Sequence, residues 1–166
     1  ACWKGCAEGG SAACAGDQCP SAPVIDLAAG KTSVSGDQFA YTDRWTASGK
    51  PGCLVGSNTS SPDTPGIEVF AKLEGVKPGE TVVFDSVAGR GEQAASRKGE
   101  SNVAFFILEG CSASTCTAAG LYDADGDNHF EWTPSGSGPY WLVAKALGRR
   151  TETRGFGFDV ARRGGP

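Results

Sequence analysis

The stretch of this 166-residue chain with the densest chemistry is DADGDNHFE, Asp123 to Glu131. Asp123, Asp125 and Asp127 alternate through a Gly-containing loop, and Glu131 follows on the next strand. Carboxylates crowded in this way repel one another unless water or a hard cation lies between them, and Ca2+ takes its ligands as oxygens from flexible loops. Asp123, Asp125, Asp127 and Glu131 are therefore a candidate Ca2+ site, with a solvated acidic turn as the competing reading. The stretch is not an EF-hand, because Gly126 stands at its fourth position, Asn128 where the pattern requires Gly, and Pro134 at its twelfth. His129 is the one histidine of the chain. It lies among acidic residues, where a surface or structural role is the ordinary one. No nucleophile elbow, zinc-protease helix, Walker loop or dinucleotide fingerprint is present, and the chain reads as non-catalytic.

The cysteines carry the other chemistry. There are seven, with no methionine. Cys2, Cys6, Cys14 and Cys19 sit in the first 23 residues without paired zinc-knuckle spacing, Cys53 stands alone, and Cys111 and Cys116 flank the short loop SAST. Cysteine at this density points to an oxidising, extracellular compartment and to disulfides. The spacing leads us to expect a Cys111–Cys116 pair. An odd count then leaves one thiol over. Three outlets are open: Cys53 pairs with the N-terminal group and frees one of its members, a cysteine cross-links to another chain, or Ala1-Cys2 ends a lipoprotein motif and Cys2 is lipidated.

These groups need elements to hold them. Gly is 25 of 166 residues and the apolar fraction is 39%, a turn-rich profile that disfavours helical bundles. Residues 1–23 hold four cysteines and almost no aliphatic side chains, and read as a stapled cap. Residues 24–161 read as a β-sandwich or jelly roll of about eight strands, and 162–166 as a basic, Gly-rich tail. PVIDLAAGKTSVSG offers one or two short strands, and GDQFAYTDRW places Phe39, Tyr41 and Asp43 on one face. In IEVFAKLEG, Ile67, Val69, Ala71 and Leu73 face inward and Glu68, Lys72 and Glu74 outward, which leaves Phe70 on the wet face. Lys77 to Glu80, KPGE, matches a type II turn. Residues 88–102 read as a polar loop with at most two helical turns at Glu92 to Lys98. VAFFILEG and YWLVAKAL are apolar on both faces, so a cap, a loop or another molecule must cover the side that does not meet the partner sheet. HFEW and GFGFDVA complete the set.

The order of these segments resembles the bacterial pre-peptidase C-terminal domain, a secreted jelly-roll module. PGIEVFAKLEGVKPGETVVFDS, VAFFILEGC, HFEWTPSGSGPYWLVAKA and GFGFDV carry the likeness across residues 24–161. The resemblance implies a non-catalytic accessory of secreted hydrolases, used for secretion, attachment or substrate binding.

Charge and aromatic placement bound the partners. Residues 145–166 carry six Lys or Arg against two Asp or Glu, +4, so the whole-chain −4 leaves −8 on the first 144. An acidic body with a basic end permits tail-to-body association between copies. Nucleic acid is not expected at this charge with only Arg149, Arg150 and Arg154 clustered, and no apolar run is long enough to span a membrane. Trp45, Trp132, Tyr140 and Trp141 could line a glycan platform, and core packing is the competing use. Candidate partner or glycan contacts are Trp141, Phe70, Arg149, Arg150 and Arg154. The expected function is that of an extracellular structural or surface protein, self-associating through its two-faced strands and spare cysteine. A glycan- or matrix-binding module is the alternative.

Overall fold

The computed structural model describes residues 22–37, 45, 50–53, 68–86, 102–120, 129–147 and 155–163. The architecture is all-β. Among the described residues nine strands run in chain order: β1 (Val24–Asp26), β2 (Thr32–Asp37), β3 (Glu68–Glu74), β4 (Val82–Ser86), β5 (Asn102–Leu108), β6 (Ala118–Gly120), β7 (His129–Trp132), β8 (Tyr140–Leu147) and β9 (Gly155–Arg162). A 3-10 turn, Leu27–Ala29, follows β1, and the Asp26 carboxylate caps it by accepting from the Ala28 amide at 2.9 Å.

Two sheets form, one of order β1-β3-β8-β5-β6 and one of order β2-β9-β4-β7. Numbering β2 to β9 as one to eight gives orders 2-7-4-5 and 1-8-3-6, which is jelly-roll winding. β1 is an addition to that plan and pairs parallel with β3, Ile25 opposite Leu73. The KPGE turn forms as expected: the Glu80 amide donates to the Lys77 carbonyl at 3.2 Å and Gly79 has φ +79°. The strands on either side of it, β3 and β4, belong to different sheets. The turn is a corner of the sandwich.

Period-two alternation builds the core between the sheets. β3 contributes Val69, Ala71 and Leu73, β5 contributes Val103, Phe105 and Ile107, and β8 contributes Tyr140, Leu142 and Ala144. Val34, Val82, Phe84, Trp132, Phe158 and Val160 answer them from the four-stranded sheet. Phe105 lies 5.5 Å from both Phe84 and Phe158, edge-on to the latter, and Trp132 meets Tyr140 edge-on at 4.7 Å. β6 passes under β7 only because residue 120 is glycine, since a Cβ there would stand 2.3 Å from the Phe130 ring.

The far side of the five-stranded sheet carries a second core, made of Phe70, Ala104, Phe106, Leu108, Val143, Cys53 and Cys116. Its cover is the chain itself: Trp45, Ala22, Cys111 and Ala113 pack against it. This corrects two expectations. Phe70 does not face water, being 6% exposed, and Glu68 is fully buried, because the face that alternation assigns to the outside is roofed. Cys111 and Cys116 do not pair with each other. Cys116 bonds Cys53 across 63 residues, and Cys111 is disulfide-bonded to a partner outside the described residues. The physical reason lies in the turn after β5. The Thr117 amide returns to the Ile107 carbonyl at 2.8 Å, and the Cys116 amide donates to the Pro51 carbonyl at 2.9 Å. Cys116 is thereby pressed under residues 50–53, within reach of Cys53. The expected segments 38–44 and 88–101 lie outside the described residues.

Candidate functional site

Two polar constellations stand out, one on each outer face of the sandwich. The first is exposed except at Asp159. On the four-stranded sheet, Asp159, Asp85 and His129 fall in one cross-strand row through β9, β4 and β7. The His129 ring contacts Asp85 Oδ1 through Nδ1 at 2.5 Å and Glu131 Oε1 through Nε2 at 2.9 Å. Arg163 pairs with the same Glu131 oxygen, and Lys31 closes the other end on the buried Asp159 at 2.7 Å. The result is a band of ionisable groups across the sheet, in which the carboxylates of Asp159 and Asp85 are cross-strand neighbours.

This band is not built as a metal centre. The two carboxylates meet opposite nitrogens of the imidazole, so the three groups do not converge on one point, and no metal-holding group of three occurs among the described residues. Glu131, the strand member of the expected Ca2+ set, has an oxygen engaged by His129 and Arg163. Asp123, Asp125 and Asp127 lie outside the described residues.

The second constellation is buried. Glu68 and Lys145 are direct cross-strand partners on β3 and β8, and their exposures are 0% and 2%. Both reach the backbone of one residue. Glu68 Oε1 accepts from the Trp45 amide at 2.8 Å, and Lys145 Nζ donates to the Trp45 carbonyl at 2.7 Å. The Trp45 ring lies against Phe106 at 4.8 Å, with Lys50 Nζ 5.4 Å from its centroid. A few residues on, Gly52 has φ +76°, and a Cβ there would stand 2.2 Å from the Cys116 carbonyl oxygen. Only glycine permits this approach. No family model and no curated protein matches the chain. The two faces thus stand on their own geometry.

The expected site residues fall apart in space. Trp132 and Tyr140 are spent in the core between the sheets, while Trp45 and Trp141 pack on the second core behind the five-stranded sheet. The four aromatics share no common surface. Phe70 is covered, Trp141 is half-buried, and Arg149, Arg150 and Arg154 lie outside the described residues, as do Cys2, Cys6, Cys14 and Cys19. Sequence reasoning missed the Glu68/Lys145 pair. Alternation read Glu68 as solvated, and Lys145 was grouped with the basic end of the chain. The available signal was their setting: each lies on a strand face whose next residue, Phe70 or Val143, is apolar.

Proposed function

We infer that the chain is a non-catalytic extracellular structural protein, a self-associating or surface-assembly subunit built on a β-sandwich. The state of the cysteines carries this reading. Cys53, Cys111 and Cys116 are all disulfide-bonded. The chain holds seven cysteines, so the one left over by an odd count is Cys2, Cys6, Cys14 or Cys19. In the oxidising compartments where disulfides persist, such a sulfur is a ready cross-link between copies. The secreted setting is also the one implied by the resemblance to pre-peptidase C-terminal domains. Scattering of the four aromatics through two separate cores supports assembly over a sugar platform. Among the described residues no helix is long and apolar enough to cross a membrane.

The test is mass analysis of the native protein with and without reductant, alongside negative-stain microscopy. The expected result is a multimer or filament that reductant dissociates. A clean monomer with three internal disulfides and one free thiol overturns the reading. It would direct attention to a glycan- or matrix-binding module, for which glycan arrays are the assay.

A further inference from the structure

The turn after β5 carries two bonded sulfurs and sends them to different parts of the chain. Cys116 holds Cys53, and Cys111 is disulfide-bonded as well. With Cys53 and Cys116 spent on each other, the cysteines of this chain left to Cys111 are Cys2, Cys6, Cys14 and Cys19. A second observation points to the same stretch. Ala22, the first described residue, packs against the second core, and the Pro23 carbonyl accepts from the Lys72 amide at 2.9 Å. We propose that the cysteine-rich segment 1–21 is the cover over Trp141 on the far side of the five-stranded sheet, stapled through one of its cysteines to Cys111.

The strand register shows why that route passes over Trp141. Val24, Lys72, Trp141 and Leu108 stand in one row across β1, β3, β8 and β5. Ala22 leads into the β1 end of this row, and Cys111 follows its β5 end by three residues. The two ends of the row are three strand spacings apart, about 14 Å. A chain fixed at both must cross β3 and β8, and Trp141 is the half-buried side chain that β8 presents to the second core in that row. From Cys19 the span closes only at full extension, about 10 Å of backbone plus about 5.5 Å between the Cα atoms of a disulfide. Cys14, Cys6 and Cys2 have slack. The indole also offers what this segment lacks, since a stretch almost without aliphatic side chains cannot build a core of its own.

Closing the bond takes two electrons and two protons from the two thiols; a disulfide donor accepts them and leaves as two thiols. Three N-terminal cysteines then remain, and an odd sulfur is still among them. Self-association does not enter this inference.

The experiment first maps the bond in the native protein. Free thiols are alkylated, chains are separated on a denaturing gel without reductant, and the single-chain band is digested with pepsin at low pH for mass analysis. Where every chain is cross-linked, the mildest reduction that yields single chains precedes the gel. The expected product is a peptide holding Cys111 joined to one holding Cys2, Cys6, Cys14 or Cys19. Cys111 recovered alkylated, or joined only to a second copy, overturns the proposal. Hydroxyl-radical footprinting then compares wild type with Cys111→Ser. Trp141 should oxidise roughly threefold faster in the variant, while Trp132 in the first core keeps its rate. A gain at Trp141 no larger than the gain at Trp132 overturns the cover even where the bond is found. Whether copies associate is read separately, from the mass of the intact protein without reductant.

Discussion

Replacing Cys53 and Cys116 together with alanine removes a link across 63 residues of chain. In the chain-entropy treatment, a loop of that length constrains the unfolded state by about 4 kcal/mol at 25 °C. Cys53 and Cys116 are 0% and 8% exposed as residues, so loss of their sulfurs also leaves small voids, about 1 kcal/mol more. The expected total is about 5 kcal/mol, or a midpoint lower by roughly 10–20 °C for a domain of this size. Urea titration of the oxidised wild type and the double variant, followed by tryptophan fluorescence, measures it. The slope should rise in the variant, because its unfolded chain is more expanded. A loss under about 1 kcal/mol with an unchanged slope would refute the reasoning, since the link would then constrain nothing that the rest of the fold does not already hold.

Gly52→Ala should cost about 2 kcal/mol or more by urea titration, because its Cβ meets the Cys116 carbonyl oxygen at 2.2 Å and its φ is +76°. Gly120→Ala should destabilise by a similar amount, and shortening the facing ring with Phe130→Ala should recover part of it, a coupling that a double-mutant cycle reads directly. Arg162→Met should cost about 2 kcal/mol by thermal melt, since the guanidinium bonds both the Leu27 carbonyl at 3.0 Å and Glu80 at 2.9 Å. The calcium reading of Asp123, Asp125, Asp127 and Glu131 predicts a melting midpoint that rises with millimolar Ca2+ and returns with chelator; an unchanged midpoint removes that reading.

How much of this was legible in sequence depended on the range of the interaction. Alternation and turn chemistry are local, so the strands around Val69, Phe105 and Leu142 and the Gly79 turn could be read from neighbouring residues alone. The doubly apolar texture of VAFFILEG and YWLVAKAL also announced that a second face had to be covered. What covers it was not legible, because Trp45 and Cys53 reach that face from far along the chain. The same distance hid the disulfide. Cys111 and Cys116 are close in sequence, yet the Pro51 carbonyl and Gly52 bring Cys53 to Cys116 instead. Glu68 was misassigned because alternation tells which side a residue faces, and only tertiary structure tells whether that side is wet. The row of Asp85 and His129 likewise exists only once β4 and β7 are paired in register.

The five-stranded sheet is a wall shared by two cores, and β5 is its most enclosed part, with every residue from Val103 to Leu108 buried. Sequence neighbours there are therefore energetic strangers. Phe105 and Phe106 point into different compartments, so substitutions at the two should combine almost additively. Phe105 and Phe84, on opposite sheets but in ring contact, should show strong epistasis. Drift from Val103 to Leu108 has no solvent-facing position on which to begin, and each change must be answered in whichever compartment it enters. Its pattern of coupled substitutions would reveal two interleaved networks, each with a period of two along one strand.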